Sequence, residues 1–369
     1  MNPRSVNVQI VDPSAFTPPY DRSLCTALAR AGADVELVTS SFLYGPVPPA
    51  EGFRVNELFY RRTAARGLRA PGRRAFKLAE HVPDMLRYRR HARAADLVHY
   101  QWLSVEPLDA FLLPPTRPRV LTAHNVVAHE PRSGQAAARR RILGAMDAVV
   151  VHSRHGAEQA ERLGALAERV HVIPHGAFDY LARQPSEASL PAELASAEGP
   201  VVLCFGLIRP YKGVDVLLRA FKRVRGAELW IVGMPRMDIE PLRALAGERV
   251  RFLPRFVPDT ELPAYFRRAD LVVLPYREVD QSGVLYTALA FGKPIVASAV
   301  GGFAELGDVL RLVPPGDEAA LADAIDELLR DDAARAELAG AAARAAAGPY
   351  SWDAVAERTL ALYRQLLGT

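Results

Sequence analysis

Short runs rich in Val, Ile and Leu alternate along the chain with longer Ala-, Leu- and Arg-containing segments whose apolar positions recur at helical spacing. This alternation predicts βαβ units and parallel sheets. Strands are predicted at 6–12, 34–40, 96–102, 119–125, 148–153 and 169–174 in the first half. In the second half they fall at 200–206, 228–233, 250–254, 270–275, 294–299 and 310–313. Several are almost continuous in β-branched and aliphatic residues, as expected of strands covered by helices on both faces. Residues 181–199, rich in Pro, Ser, Glu and Ala, depart from the alternation and read as a linker, with a domain boundary near residue 185. The Ala-rich segment 317–348 carries leucines at helical spacing and reads as helix. Pro349 interrupts it, and Ser351 is a plausible N-cap for a final helix.

The fold class predicted is α/β: two Rossmann-like, doubly wound parallel-sheet domains facing an interdomain cleft. Residues 1–185 form the first domain and 186–349 the second, and 350–369 form a helix expected to pack back toward the first. Ligands of such sheets bind beyond the carboxyl ends of the strands, so the residues just after each strand carry the functional information.

Composition narrows the picture. Half of the 369 residues are hydrophobic, enough for a core in each half. Cys25 and Cys204 lie in different halves within apolar stretches, which disfavours a disulfide framework and fits a reducing cytoplasm. The first residues lead directly into a strand without a signal-peptide core, and no apolar run is long enough to span a bilayer. Net charge is +4, unevenly spread: from Arg61 to Arg93 there are eleven Lys or Arg against Glu80 and Asp84. That segment reads either as a solvated helical face or as a basic surface for an anionic membrane or a phosphorylated acceptor. No nucleic-acid motif accompanies the charge, and nucleic acid is not an expected partner.

Two loops carry the strongest chemistry. After the strand at 200–206 come Gly206, Leu207, Ile208, Arg209, Pro210, Tyr211, Lys212 and Gly213, then an apolar helix. Two cations three residues apart ahead of a helix N-terminus make an anion site, with Arg209 forking onto a diphosphate and Lys212 acting as a point charge. The alternative is a surface turn with incidental cations. After the strand at 270–275, Gln281, Ser282, Gly283 and Val284 open a helix and can aim backbone amides at a phosphate. Asp280 would repel phosphate and fits better near sugar hydroxyls; the plain alternative is an acidic first helical turn. Together the loops suit a nucleoside diphosphate. The loop from Pro254 to Asp259, with Phe256 as an apolar shelf, is a candidate for the base, or else a simple strand-to-helix connection.

The segments GLIRPYKGVDVLLRAF (206–221), LPYREVDQSGVLYTALAFGKPIVASAVGG (274–302) and YSWDAVAERTLALY (350–363) resemble the group 1 retaining glycosyltransferases of the GT-B fold. The likeness covers nearly all of 200–369. In the first half it is looser, resting on LTAHNVVAHE, DAVVVHSRHGAEQ and VHVIPHGAFD. The resemblance implies transfer of a sugar from a UDP- or GDP-linked donor to a glycan, lipid-linked or small-molecule acceptor held by the first domain. It assigns the diphosphate to Arg209 and Lys212, although many relatives place the Arg directly after the glycine, where this chain has Leu207. The family's two glutamates, eight apart, are replaced here by Asp280 and Thr287, seven apart. Thr287 offers the ribose one hydroxyl in place of a carboxylate.

Across the cleft, the resemblance assigns His124 to the donor sugar near the reacting carbon. His129 and Glu130 stand as weaker acceptor contacts or plain loop, and Asn125, Ser153 and Tyr20 as further acceptor- or cleft-lining residues. The loop containing Tyr20 carries Pro18 and Pro19, which remove amides from anion binding. Neither metal nor other cofactor is expected, since no D-x-D pair occurs and cations and amides suffice for the diphosphate. The competing readings are a nucleotide-sugar epimerase or a phosphorylase of similar fold, and a degenerate, non-catalytic binding partner. A dinucleotide oxidoreductase is disfavoured because neither half opens with G-x-G-x-x-G.

Overall fold

The computed structural model describes residues 5–127, 134–185 and 189–369. The chain forms two compact units. One comprises Met1–Gly176 with Trp352–Thr369, the other Ala177–Ser351.

The first unit is built on a sheet of seven parallel strands: β1 (Asn7–Asp12), β2 (Asp34–Thr39), β3 (Arg54–Glu57), β4 (Leu97–Tyr100), β5 (Arg119–Thr122), β6 (Ala148–Val151) and β7 (Val170–Val172). Their order is β3-β2-β1-β4-β5-β6-β7. Ile10 of the interior strand β1 pairs with Leu37 on one side and His99 on the other. The order reverses between β1 and β4, so the loops after these strands flank the switch point where ligands of open α/β sheets bind. The strand β3 went unread in the sequence because Arg-Val-Asn-Glu has no apolar run, as befits an edge strand with no buried residue.

Pro18 and Pro19 do not lie in a loop. They open the helix Pro18–Arg30, where a missing N–H costs nothing in the first turn. The basic segment forms the helix Arg73–His91, which buries His81, Asp84, Met85 and Tyr88. That spacing is a single helical stripe. Asp84 accepts the Tyr60 N–H at 2.7 Å, and His81 joins the Tyr60 hydroxyl at 2.6 Å and Asp109 at 2.8 Å.

The final helix, Trp352–Leu367, packs on Pro18–Arg30 in the first unit. The Trp352 ring covers Gly176 so closely that a Cβ there would lie 2.4 Å from it. On the same helix, the Tyr363 hydroxyl meets His99 Nδ1 at 2.5 Å.

The second unit has six parallel strands: β8 (Val201–Phe205), β9 (Glu228–Val232), β10 (Val250–Leu253), β11 (Leu271–Leu274), β12 (Ile295–Ser298) and β13 (Arg311–Val313). Their order is β10-β9-β8-β11-β12-β13. Aliphatic side chains from β8, β9 and β11 pack against the helices Val214–Phe221 and Glu318–Arg330 in one core. The switch point lies between β8 and β11, and the two loops singled out by sequence follow these two strands. The boundary differs from the sequence expectation: the units change over at Gly176/Ala177 because the helix Asp179–Arg183 packs on the helices Leu262–Arg268 and Gly283–Ala290 of the second unit. The Ala-rich segment forms two helices, Glu318–Arg330 and Asp332–Ala347. They divide at Asp331, whose carboxylate caps the second by accepting the Ala334 N–H.

Candidate active site

In the second unit, Gly206 ends β8 at φ +111°, a backbone conformation reserved for glycine. A Cβ there would stand 3.0 Å from Val284 Cγ2 and 3.6 Å from Lys212 Nζ. The chain then makes a 3₁₀ turn, Pro210–Lys212, and passes through Gly213 at φ +66° into the helix Val214–Phe221. Gly213 lies against the loop after β11, where a Cβ would collide with the Pro275 carbonyl oxygen at 1.9 Å. Arg277 completes the joint. Its N–H donates to Tyr211 O at 2.8 Å, and its guanidinium grips the Asp215 carboxylate bidentately at 2.8 and 2.7 Å. The hydrogen bonds from Arg277 hold the Asp215 pKa down at about 2.

Lys212 sits inside this joint and is buried. Its Nζ donates to the Tyr276 hydroxyl at 2.5 Å, and that hydroxyl lies 3.1 Å from Ser282 Oγ. Burial pushes the lysine pKa down. The groups acting on its charge are Tyr211, Cys204 and Arg209, with no carboxylate among them. A desolvated ammonium with no carboxylate among the groups that act on it is an electrostatic demand for an anion. Arg209 is half-buried, while Leu207, which occupies the position many relatives give to arginine, is 38% exposed.

On the other side, Ser282 precedes the helix Gly283–Ala290, whose first N–H groups lack intrahelical acceptors. Gly283 has no need of a left-handed φ; its open α-carbon faces the Phe178 ring, which a Cβ would meet at 3.4 Å. Asp280 and Ser282 are buried. The Gln281 side chain accepts from the Tyr286 hydroxyl at 2.8 Å and lies over Gly302, where a Cβ would fall 2.4 Å from Gln281 Nε2 and 2.5 Å from Asp280 O. Thr287 is buried, and its hydroxyl donates to Gly283 O at 2.9 Å within its own helix. Phe256, 40% exposed, follows β10, with its carbonyl accepting from Arg255 Nη1 at 3.1 Å.

In the first unit, His124 follows β5 within an aromatic cluster. Trp102 stacks on it at 5.0 Å, and Tyr20 meets it edge-on at 4.6 Å. Both ring nitrogens have partners: Nε2 lies 3.1 Å from Gln101 Oε1 and Nδ1 3.2 Å from His152 Nε2, while His152 Nδ1 is 3.0 Å from the Ile173 carbonyl. Burial lowers the pKa of both histidines, that of His152 to about 4, so both are neutral near pH 7. The protons follow. A carbonyl only accepts, so His152 carries its proton on Nδ1 and accepts at Nε2. His124 therefore donates from Nδ1, and its Nε2 is an acceptor. Gln101 must then turn its amide toward it, which relocates an Nε2 otherwise buried without a partner.

Tyr20 lies buried beneath this cluster, against His152, His175 and Trp352, and does not line an open surface. Ser153 caps the helix Arg154–Arg162 by accepting the Gly156 N–H at 3.0 Å, a structural role in place of the expected acceptor contact. The carbonyl of Asn125 accepts from Arg139 at 2.8 Å. His129 and Glu130 lie outside the described residues.

The profile of the glycosyl transferases group 1 matches residues 199–331, and that of the glycosyl transferase 4-like domain matches residues 19–176. The D-inositol 3-phosphate glycosyltransferase of Xylanimonas cellulosilytica is 31% identical over 396 aligned positions, spanning 94% of this chain and 90% of that one. The chain belongs to the group 1 glycosyltransferases. A phosphatidyl-myo-inositol mannosyltransferase of Mycobacterium leprae is 38% identical over 218 positions, spanning 56% of this chain and 55% of its own. Among solved structures, sucrose-phosphate synthase from Thermosynechococcus elongatus has a TM-score of 0.75 at 23% identity, over 98% of this chain and 99% of that one. HepE of Anabaena, solved in complex with UDP-glucose, gives 0.75 at 20% identity, over 97% and 99%. At these identities the likeness establishes the GT-B fold.

Several residues of this group 1 transferase had no signal in the sequence. Tyr276 and the Asp215–Arg277 pair join segments more than 60 residues apart. His152 does follow a predicted strand and reads from sequence as a cleft-lining candidate, but it becomes a partner of His124 only once β5 and β6 pair. The reason for Gly302 is the approach of Asp280 and Gln281.

Proposed function

We propose that this transferase moves a sugar from a UDP- or GDP-linked donor to a hydroxyl acceptor, with retention at the anomeric carbon and without a metal. The observation that carries this reading is Lys212: a buried ammonium with no acid partner among the described residues, beside Arg209, where the loops after β8 and β11 meet. The donor diphosphate supplies the missing charge. As the bond from the anomeric carbon to the phosphate oxygen breaks, negative charge grows on the leaving phosphate, where Arg209, Lys212 and the amides of Ser282, Gly283 and Val284 stabilise it. The acceptor oxygen bonds to the same carbon, and its proton passes to a leaving-phosphate oxygen, so no separate base is needed.

His124, neutral and with an accepting Nε2, takes a hydrogen bond from a sugar hydroxyl by exchanging Gln101, and Asp280 orients the sugar in this scheme. Phe256 offers an apolar surface to the base. Thr287, whose hydroxyl donates to Gly283 O, keeps an acceptor oxygen for a ribose hydroxyl. The acceptor, a glycan, lipid-linked or small molecule, belongs to the first unit.

Among the described residues no helix is long and apolar enough to cross a membrane. The basic segment from Arg61 to Arg93, with Phe76, Leu78 and Leu86 exposed along it, suits peripheral contact with an anionic membrane at the cytoplasmic face. Retention is tested with the donor alone, with water in place of the acceptor. Proton NMR of an α-linked UDP- or GDP-sugar should show the α-sugar as the first anomer released; the β anomer first would overturn a retaining mechanism.

A further inference from the structure

In the second unit, one serine does not do what its position predicts. Ser282 stands directly before the helix Gly283–Ala290, with extended backbone, where a serine side chain ordinarily accepts an N–H of the first turn. Ser153 does this ahead of Arg154–Arg162, at φ −152° and ψ 160°. Ser282, at φ −139° and ψ 119°, makes no such bond to its helix. Its Oγ lies instead 3.1 Å from the Tyr276 hydroxyl, six residues back in the loop after β11. Both residues are buried.

Lys212 fixes the direction of the protons. An ammonium only donates, so the Tyr276 oxygen accepts from Nζ at 2.5 Å. A phenol that receives a charge-assisted hydrogen bond becomes a poorer acceptor and a stronger donor. Burial pushes its pKa up and keeps it protonated. Its single proton therefore goes to Ser282 Oγ, and the proton of Ser282 is left to be given elsewhere. The Tyr276 ring is held by packing: Phe303 lies 5.4 Å from it, Tyr211 meets it edge-on at 6.3 Å, and the Lys212 ammonium stands 4.2 Å from its centre. A phenylalanine would fill the same space, so packing alone does not call for the hydroxyl.

Two consequences meet at the helix. The first N–H groups of Gly283–Ala290 stay clear of a side-chain cap, and the Ser282 hydroxyl becomes one more donor beside them. We infer that Tyr276 is a positioning residue of the transferase: held by Lys212, its hydroxyl draws Ser282 Oγ off the helix N-terminus and aims the Ser282 proton at the leaving phosphate. This rests on the proposed donor reading of the two loops, and it adds Ser282 Oγ to the groups that touch the diphosphate.

The hold of Tyr276 on Ser282 is tested on the full chain without any ligand. In Tyr276→Phe the serine is released to cap the helix, so the Val284 or Leu285 amide should exchange with deuterium about tenfold more slowly by NMR. Ser282→Ala in that background should undo the slowing. Unchanged exchange at both amides overturns the inference, whatever the nucleotide does.

The functional half is read by calorimetric titration with UDP, GDP and ADP. Ser282→Ala should weaken the nucleotide that binds by about tenfold in the wild type, and Ser282→Thr, which keeps the hydroxyl, should retain it. In Tyr276→Phe the same alanine should bring no further loss or a partial recovery, because the serine it removes there competes with the phosphate for the helix N–H groups. Equal factors in both backgrounds overturn the role of Tyr276. If Tyr276→Phe folds poorly, Ser282→Ala alone decides. Weaker nucleotide binding at an unchanged melting temperature of the unliganded chain is the expected result. A lowered melting temperature with unchanged affinity shows an ordinary cap and overturns it. Slowed amide exchange in Tyr276→Phe, with no nucleotide binding to the wild type, would support the hold on Ser282 and count against the donor reading instead.

Discussion

A buried ammonium with no acid beside it destabilises an empty protein and is relieved when an anion arrives. Lys212→Met keeps the length and apolar stem of the side chain and removes the charge. It should raise the melting temperature of the unliganded protein yet cancel the rise produced by the donor nucleotide, with kcat/KM falling by about a hundredfold or more; differential scanning fluorimetry and initial rates check both. Lys77 gives a prediction in pH. Its folded pKa of about 8 lies below its ordinary 10.5, so the unfolded chain holds more protons between these values and stability rises with pH across that window. Arg73, Asp12 and Tyr60 are the other groups around it, and Lys77→Gln should flatten the rise in thermal melts from pH 7.5 to 10.5. Histidines act in the opposite pH range with the same sign. His99 and His152 have pKa values of about 3 and about 4, so the unfolded chain binds the extra protons below about 6.5 and stability falls as pH drops from there. Lys212 and His124 were legible because each follows a strand that the apolar pattern marked. The committed hydroxyl of Thr287 was not, because a bond to its own helix four residues back leaves no trace in composition.

Between elements, the site depends on how the loop after β11 is held from both sides. Gly213 presses on Pro275, Arg277 clasps Asp215, and Gly302 admits Asp280 and Gln281. Gly213→Ala meets both a left-handed φ and a backbone oxygen, and should cost about 1–3 kcal/mol or more in urea unfolding. Gly302→Ala meets mainly the loop itself. It should weaken nucleotide binding by a larger factor than it lowers stability, and an equal loss in both would contradict its role in placing that loop. All six strands of the second unit were legible, since buried parallel strands advertise themselves as apolar runs. The edge strand β3 was not, because it buries none of its residues. Asp331 divides a run of alanines that, by propensity alone, continues as one helix.

On the scale of the molecule, the chain leaves the first unit after Gly176 and returns to it at Trp352. The first unit is therefore incomplete without the last eighteen residues: the Trp352 ring covers Gly176, and Tyr363 holds His99. A chain ending at Ser351 should lose the first unit's protection in hydrogen exchange while the strands of the second unit keep theirs. Equal loss in both would contradict this division. The sequence marked the final helix clearly but placed the boundary near 185, because a short polar helix such as Asp179–Arg183 shows its allegiance only through the helices it packs on. The proposed function turns on one step in the second unit, binding of a donor diphosphate at Lys212. Calorimetric titration of the wild type and Lys212→Ala with UDP, GDP and ADP, each in EDTA, tests it most directly. The account predicts that one nucleotide binds the wild type and binds the variant about a hundredfold more weakly or not at all. Binding that survives in Lys212→Ala unchanged, or no binding of any of the three to the wild type, would contradict it.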